Sequence, residues 1–296
     1  MNNAYFDAKA IKNLVIGNGF RFSKSMGQNF LIDGSIAEKL VNLSGIDNSC
    51  GVLEIGAGLG GLTSVLCQVA GRVLAVELDK RLIPVIRNIF SGVENVEIVQ
   101  GDIMKLDVAK LVKEKMPDMR YQVCANLPYS ITTPVLTMLI NSKVFESITV
   151  MVQREVARRI CAQPGSSDYG AFTVFAKYHA TAETLFDVMP ECFFPRPGVV
   201  SSVITMKTRT ERLLEPEDEA QLFRVTRAAF GQRRKTLVNS LLPVFGNALQ
   251  KTEIEEIVRV CGFDVRIRGE ALSLEELMRV SARISAITSA KNKNSC

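Results

Sequence analysis

Four consecutive residues, Asn126-Leu127-Pro128-Tyr129, carry the groups needed to hold a flat heterocycle by an amino substituent. An exocyclic amino nitrogen on such a ring is a poor nucleophile, because its lone pair is delocalised into the ring. Two acceptors that bind its two N–H groups draw the nitrogen towards sp3 geometry. The Asn126 amide oxygen and the Leu127 backbone carbonyl can be those acceptors, Pro128 stiffens the turn, and Tyr129 can stack on a base extruded from its helix. The structural alternative is a proline turn that merely carries a tyrosine. The string follows the apolar run 122–125, at the end of what reads as a parallel strand, and that position favours a ligand.

Three earlier features point to the same edge. In VLEIGAGLGGLT (52–63) an apolar run enters Gly56, Gly58 and Gly60 and a helical pattern follows. Glycines permit a tight turn and close approach of a ligand to the backbone. The form is G-x-G-x-G, and alone it fits NAD, another nucleoside ligand or no ligand. Glu77 ends the next run, 21 residues after Gly56, where an acid can accept from two ribose hydroxyls. Asp102, in QGDIMKL, follows the third run; it can accept from an adenine amino group or cap a helix N-terminus.

The elements that must position these residues follow from periodicity. Strands are expected at 52–55, 73–78, 96–99, 122–125, 147–152, 184–188 and 199–207. Helix-length segments such as 62–70 and 81–90 separate the first five, the pattern of β-α-β units in a parallel sheet covered on both faces. The last two strands, joined by a short Pro-rich link, are expected to pair antiparallel at one side. After Lys207 the pattern turns helical, at 222–230, 236–242, 254–260 and 274–287, with Ser273 and Glu276 forming a capping box. The charged, proline-containing stretch 209–219 sets a domain boundary. The expected fold is therefore α/β, a mostly parallel seven-stranded Rossmann-like sheet over 1–208, with a small all-α domain over 209–296. The closing KNKNSC reads as a frayed tail.

Composition narrows the function class. The 296 residues are 47% hydrophobic and 23% charged, a globular balance. No apolar run approaches the ~18 residues of a spanning helix, and the amino terminus lacks the apolar core of a signal peptide. Seven cysteines without a C-x-x-C pair read as reduced cytosolic thiols packed as small hydrophobes. His179, the only histidine, has no G-x-S-x-G elbow beside it and reads as structural. Residues 205–296 carry 16 Lys+Arg against 12 Asp+Glu, the more basic part of a chain with net charge +5. Within them Arg233-Arg234-Lys235, near Arg224 and Arg227, can meet phosphates or simply end a solvated helix. Arg154, Arg158 and Arg159 are weaker candidates.

The string Asn126–Tyr129 resembles the motif of enzymes that methylate exocyclic amino groups of bases. With KSMGQNFLID (24–33), AVELD (75–79), GDIMKLD (101–107), NLPYSITTPVL (126–136), VQREVARRI (152–160), FFPRPGVVSSVI (193–204) and AFGQRRKTLVNSL (229–241), the chain is similar to the ribosomal RNA adenine N6,N6-dimethyltransferase family. The resemblance covers nearly all of 24–242. It implies a class I methyltransferase fold, S-adenosylmethionine as methyl donor and no metal. Asn29, Leu31, Gly56, Glu77, Asp102 and Asn126 would contact the donor, with the segment 1–33 closing over it. Phe193, first residue of an F-x-P-x-P string, would sandwich the target adenine with Tyr129, beside the catalytic Asn126 and Leu127. Arg233, Arg234 and Lys235 would contact RNA. The implied substrate is small-subunit ribosomal RNA in an immature small-subunit particle, modified at two adjacent adenosines near its 3′ end by a cytoplasmic monomer. Ser130-Ile131-Thr132 departs from the Asn-Ile-Ser common in relatives, outside the catalytic string.

Three alternatives stay open at this point. A nicotinamide-dependent oxidoreductase would explain the glycine turn and Glu77 but leave Asn126–Tyr129 without a task. A non-catalytic nucleic-acid-binding relative could have lost Asn126 or Tyr129, and both are present. The large-subunit enzyme of the macrolide-resistance type shares the catalytic strings, although the G-Q-R-R-K-T-L form and the chain length favour the small-subunit one.

Overall fold

Strands buried along most of their length must be covered on both faces, and the middle strands of one sheet are of this kind. The computed structural model describes residues 29–294. In chain order they form β1 (Phe30–Leu31), α1 (Gly34–Ser44), β2 (Cys50–Ile55), α2 (Gly61–Val69), β3 (Arg72–Glu77), α3 (Ile83–Ile89), β4 (Val96–Gln100), α4 (Val108–Lys115), β5 (Arg120–Asn126), α5 (Thr132–Ser142) and β6 (Ser147–Gln153). Then come α6 (Arg154–Cys161), α7 (Ala171–His179), β7 (Ala180–Val188), β8 (Phe193–Phe194), β9 (Ser201–Thr208), α8 (Pro216–Gly231), α9 (Leu237–Phe245), α10 (Lys251–Val260) and α11 (Leu274–Asn294).

Seven strands form one sheet in the order β4-β3-β2-β5-β6-β9-β7. β3 and β5 flank β2 in parallel, β4 extends the sheet beyond β3, and β6 extends it beyond β5. Chain order therefore runs one way from β2 through β4 and restarts on the other side at β5. The crevice beyond the carboxyl ends of strands at such a reversal is where open α/β sheets bind ligands. β9 is inserted between β6 and β7 and runs antiparallel to β6, pairing Gln153 with Ser201 and Ser147 with Lys207. The two strands expected to pair at one side are indeed neighbours. A separate two-stranded ribbon joins β1 to β8, with Phe30 opposite Phe194 and Leu31 opposite Phe193.

The chain forms two compact units, residues 29–157 with 181–208, and residues 158–180 with 209–294. The second unit therefore draws on a segment that precedes β7 as well as on the carboxyl-terminal helices. Tyr169, Val174 and Tyr178 belong to the core made by Leu222 and Val225 of α8, Leu237 and Leu241 of α9, Ile257 of α10 and Leu277 and Val280 of α11. His179 packs among Phe175, Tyr178 and Phe223, with ring centroids 4.7–5.8 Å away, in keeping with its structural reading.

Several helix limits differ from the periodic reading. α8 begins at Pro216, inside the stretch read as a linker. A proline costs nothing at the first turn of a helix, and Glu217, Asp218 and Glu219 complement its positive end. α11 runs through Asn294, so the expected frayed tail is helical that far. The capping box at its start is present: Glu276 N–H donates to Ser273 Oγ at 3.2 Å and Ser273 N–H to Glu276 Oε2 at 2.8 Å. The six cysteines described are free thiols, three of them buried. Among the described residues no helix is long and apolar enough to cross a membrane, and no group of three His, Cys, Asp or Glu side chains is placed to hold a metal. Residues 1–28 of the expected closing segment lie outside the described residues, as do the reading of the amino terminus and Cys296.

Candidate active site

The glycine turn is built on left-handed backbone. Gly56, Gly58 and Gly60 have φ of 80°, 59° and 82°, values that side chains rarely adopt. At Gly60 a Cβ would stand 2.5 Å from the Phe90 ring, and at Gly58 it would stand 3.1 Å from the Phe30 ring. The turn is thereby pressed against apolar packing, and its glycine N–H groups are bonded within the fold, Gly56 to Val76 O at 2.8 Å, Gly60 to Ala57 O at 2.9 Å and Gly58 to the Glu77 carboxylate.

Glu77 closes β3 with its side chain buried, and its carboxylate accepts from Gly58 N–H at 2.9 Å and from Asp79 N–H at 2.8 Å. Burial pushes its proton affinity above the ordinary carboxylate range, and the two N–H groups pull the other way. The acid thus ties the glycine turn to the strand end while lining the crevice. Asp102 caps a helical turn, one of its two sequence readings, and also stands on the cavity wall. Its Oδ1 accepts from Met104 N–H at 3.1 Å, capping the short 3₁₀ turn 103–105, Lys105 pairs with Oδ2 at 3.8 Å, and the residue lines the same crevice.

Asn126 ends β5, and its Nδ2 donates to the backbone carbonyl of Asn29 at 3.1 Å. A carbonyl can only accept, so this contact fixes which end of the amide is NH2 and directs Oδ1 elsewhere. Leu127 N–H donates to Met151 O at 3.1 Å, while the Leu127 side chain is buried. Asn29, Leu31, Gly56, Glu77, Asp102, Asn126, Leu127 and Tyr129 all line one cavity of about 130 Å³. The structure thus brings together every predicted donor-site residue and three of the four predicted catalytic ones.

Phe193 is the exception. It is 2% exposed, packed in the core with Leu31, Leu40 and Val203, and does not line the cavity. Side chains alternate along a strand, so the β1–β8 register decides which phenylalanine faces where. Phe193 shares Leu31's core, and Phe194 shares that of Phe30 beside the glycine turn.

Sequence reading missed Glu54. It is the penultimate residue of β2, 1% exposed, lines the cavity and accepts from Thr63 Oγ1 at 2.6 Å. Burial pushes its carboxyl up to about 8. The signal was present: an acid inside the apolar run Val-Leu-Glu-Ile. The ionisable groups lining the cavity are the carboxylates of Glu54, Glu77 and Asp102 and the Tyr129 phenol. Apolar walls with the acids Glu77 and Asp102 among them suit a cationic ligand bearing a ribose and a flat ring, and S-adenosylmethionine meets that description.

The basic string lies in the helical unit, in the turn between α8 and α9. Arg233 donates from Nη2 to the carbonyls of Ser167 at 2.5 Å and Tyr169 at 3.3 Å, and its Nε pairs with Glu270 at 3.4 Å. Arg234 and Lys235 are exposed. Arg224 lies over the Phe245 ring and donates to Val244 O at 2.9 Å, and Arg154 pairs with Asp187 at 3.7 Å.

A mostly parallel seven-stranded sheet with one reversed strand, a glycine turn after its first long strand and an acid ending the next is the fold of a Rossmann-like methyltransferase. Solved structures share it. A dimethyladenosine transferase from Plasmodium falciparum superposes with TM-score 0.74 at 23% identity, over 87% of this chain and 98% of that one. The 23S rRNA methyltransferase ErmE superposes with TM-score 0.69 at 24% identity, over 87% of this chain and all of the other (100%). In sequence, the chain is 41% identical to ribosomal RNA small subunit methyltransferase A of Streptococcus equi subsp. zooepidemicus, across 95% of this chain and 98% of that protein. It is 40% identical to the protein of that name from Streptococcus pyogenes serotype M18, again across 95% and 98%. The family model described as ribosomal RNA adenine dimethylase matches residues 19–266. The chain belongs to the ribosomal RNA adenine dimethylase family.

Proposed function

We propose that this chain transfers methyl groups from S-adenosylmethionine to N6 of two adjacent adenosines near the 3′ end of small-subunit ribosomal RNA, giving N6,N6-dimethyladenosine. The observation that carries the reading is the single cavity joining the Asn126–Tyr129 turn to the glycine turn and Glu77. The family match and the names of the relatives from streptococci support the same reaction.

The chain's residues divide the work. The glycine turn, Glu77 and Asp102 hold the donor, and Asn29 and Leu31 cover it. Asn126 Oδ1, directed away from the Asn29 carbonyl, accepts one N–H of the adenine amino group, and the Leu127 carbonyl accepts the other. Tyr129 supports the ring. The donor contributes a methyl carbon already activated by its sulfonium. The N6 lone pair forms the new C–N bond as the C–S bond breaks, the electrons of that bond stay on sulfur, and water takes the proton from the cationic nitrogen. Holding the partners in line makes the step nearly unimolecular. The chemistry requires no metal, and a second round requires only that N6-monomethyladenosine re-enter. In this reading the helical unit contacts RNA, the enzyme acts as a cytoplasmic monomer and an immature small-subunit particle is its substrate.

The test is methyl transfer from isotopically labelled donor to small-subunit particles lacking the modification, followed by mass spectrometry of digested RNA. Dimethyladenosine in small-subunit RNA is expected. Label confined to large-subunit RNA, or no label, would overturn the proposal.

A further inference from the structure

A stacking ring has to be fixed about its own side-chain torsions as well as through its backbone. The main chain at Tyr129 is held by Thr132, whose Oγ1 donates to the carbonyls of Pro128 at 3.2 Å and Tyr129 at 3.4 Å. Those contacts leave the orientation of the phenol ring unset. Phe30 and Tyr129 are the aromatic residues lining the cavity, and the Phe30 ring is already seated against Gly58. The surface on which a base can lie is therefore the Tyr129 ring.

The far end of that ring shares a 2.6 Å hydrogen bond with Ser201 Oγ, 72 residues further along the chain. Ser201 is a rigid post. It is 0% exposed and opens β9 opposite Gln153. The chain just before it is fixed by Arg154 N–H donating to Val200 O at 3.0 Å. Burial raises the proton affinity of the Tyr129 phenol, so the hydroxyl stays neutral and can donate. Ser201 does not line the cavity, so it reaches a bound base only through Tyr129.

We propose that Ser201 is a positioning residue for methyl transfer: its hydroxyl anchors the para end of Tyr129 and sets the plane on which the target adenine is laid. The inference rests on the adenine reading of this cavity. Anchoring the ring beforehand removes an ordering cost that substrate binding would otherwise bear.

A double-mutant cycle tests it, using the full chain and small-subunit particles. Ser201→Ala and Tyr129→Phe are each expected to lower kcat/KM about five- to tenfold, the effect of losing one ordinary hydrogen bond. The double variant should lose no more than either single one, because both remove the same contact. Donor affinity and thermal midpoint should stay near those of the parent. If the two losses multiply, or if Ser201→Ala matches the parent in rate, Ser201 does not act through Tyr129 and the proposal is overturned. Should Ser201→Ala fail to fold, Ser201→Cys, close in size with a weak donor, takes its place in the same cycle with the same two outcomes. A parent protein that transfers no methyl group to the particles would sink the adenine reading itself, whereas an active parent with multiplying losses would sink only the role of Ser201.

Discussion

The turn after β5 and the turn after α8 both carry short polar strings, yet their side chains are held differently. In the first, Asn126 is bonded to the Asn29 carbonyl, Leu127 N–H to Met151 and the Tyr129 hydroxyl to Ser201. In the second, Arg233 is occupied by two carbonyls and Glu270, while Arg234 and Lys235 stand exposed. The contrast follows from the forces each turn must use. Aligning a lone pair with a carbon tolerates errors of a fraction of an ångström, so every group needs its own anchor. Attraction to phosphate acts over roughly 8 Å at physiological salt, so a cation on a long flexible stem serves well. Within the basic triplet, one cation fastens the turn and the other two stand exposed, as the proposed RNA contact requires.

The largest test of this contrast removes the amide. Asn126→Ala is expected to lower the single-turnover methylation rate by about 100-fold or more, as loss of a preorganised partner does, with donor affinity within a few-fold by calorimetry. A fully active variant would break the claim that the turn is fixed for chemistry. Next is Glu77→Ala, which removes the acceptor of two N–H groups and, in the proposed donor site, the acceptor of the ribose hydroxyls. Donor affinity should fall by about 10- to 100-fold, while the rate at saturating donor changes less.

Glu54 sharpens the comparison through pH, because the cavity floor stores an electrostatic cost that an exposed turn does not. Its carboxyl is held at about 8 by burial, against an ordinary 4.5. A group that binds its proton more tightly when folded contributes stability present below 4.5 and lost as pH rises towards 8. Glu54→Gln, neutral throughout, should escape that loss. Its stability relative to the parent is expected to improve by ~2 kcal/mol between pH 6 and pH 8, read by denaturant unfolding. A constant difference across that range would place the proton elsewhere.

The smallest effects separate the three cations. Arg234→Ala with Lys235→Ala should leave the thermal midpoint unchanged and reduce the salt dependence of RNA binding by about one counterion per lost contact. Arg233→Ala should instead cost about 1 kcal/mol of stability, since its hydrogen bonds to carbonyls lie within the fold. Equal behaviour of all three would erase the division of labour.

Much of the cavity was legible because its chemistry is written in contiguous strings. Asn126–Tyr129 and the glycine turn each place their groups within a few residues, at strand ends that periodicity locates well. What escaped depends on contacts between distant segments. Whether Phe193 or Phe194 faces the glycine turn is a question of phase, set by a ribbon of two residue pairs that no local pattern announces. Residues 158–180 carry apolar side chains that fit either unit, and packing with α8 to α11 decides between them. Pro216 reads as a linker until it is seen as a first-turn residue. Glu54 was readable as an acid inside an apolar run, and Ser201 was not, since a serine opening a strand looks unremarkable.

β9 runs against β6, so it begins at the edge where the parallel strands finish. That reversal lets a residue made late in synthesis complete a platform begun 72 positions earlier, after the chain has left the sheet to supply residues 158–180 to another core. A nascent chain that stops short of residue 201 would own the amide and the glycine turn and still lack the post behind its aromatic ring. Assembly of the catalytic edge is therefore timed by the last strand, and an unfinished protein carries no complete base platform.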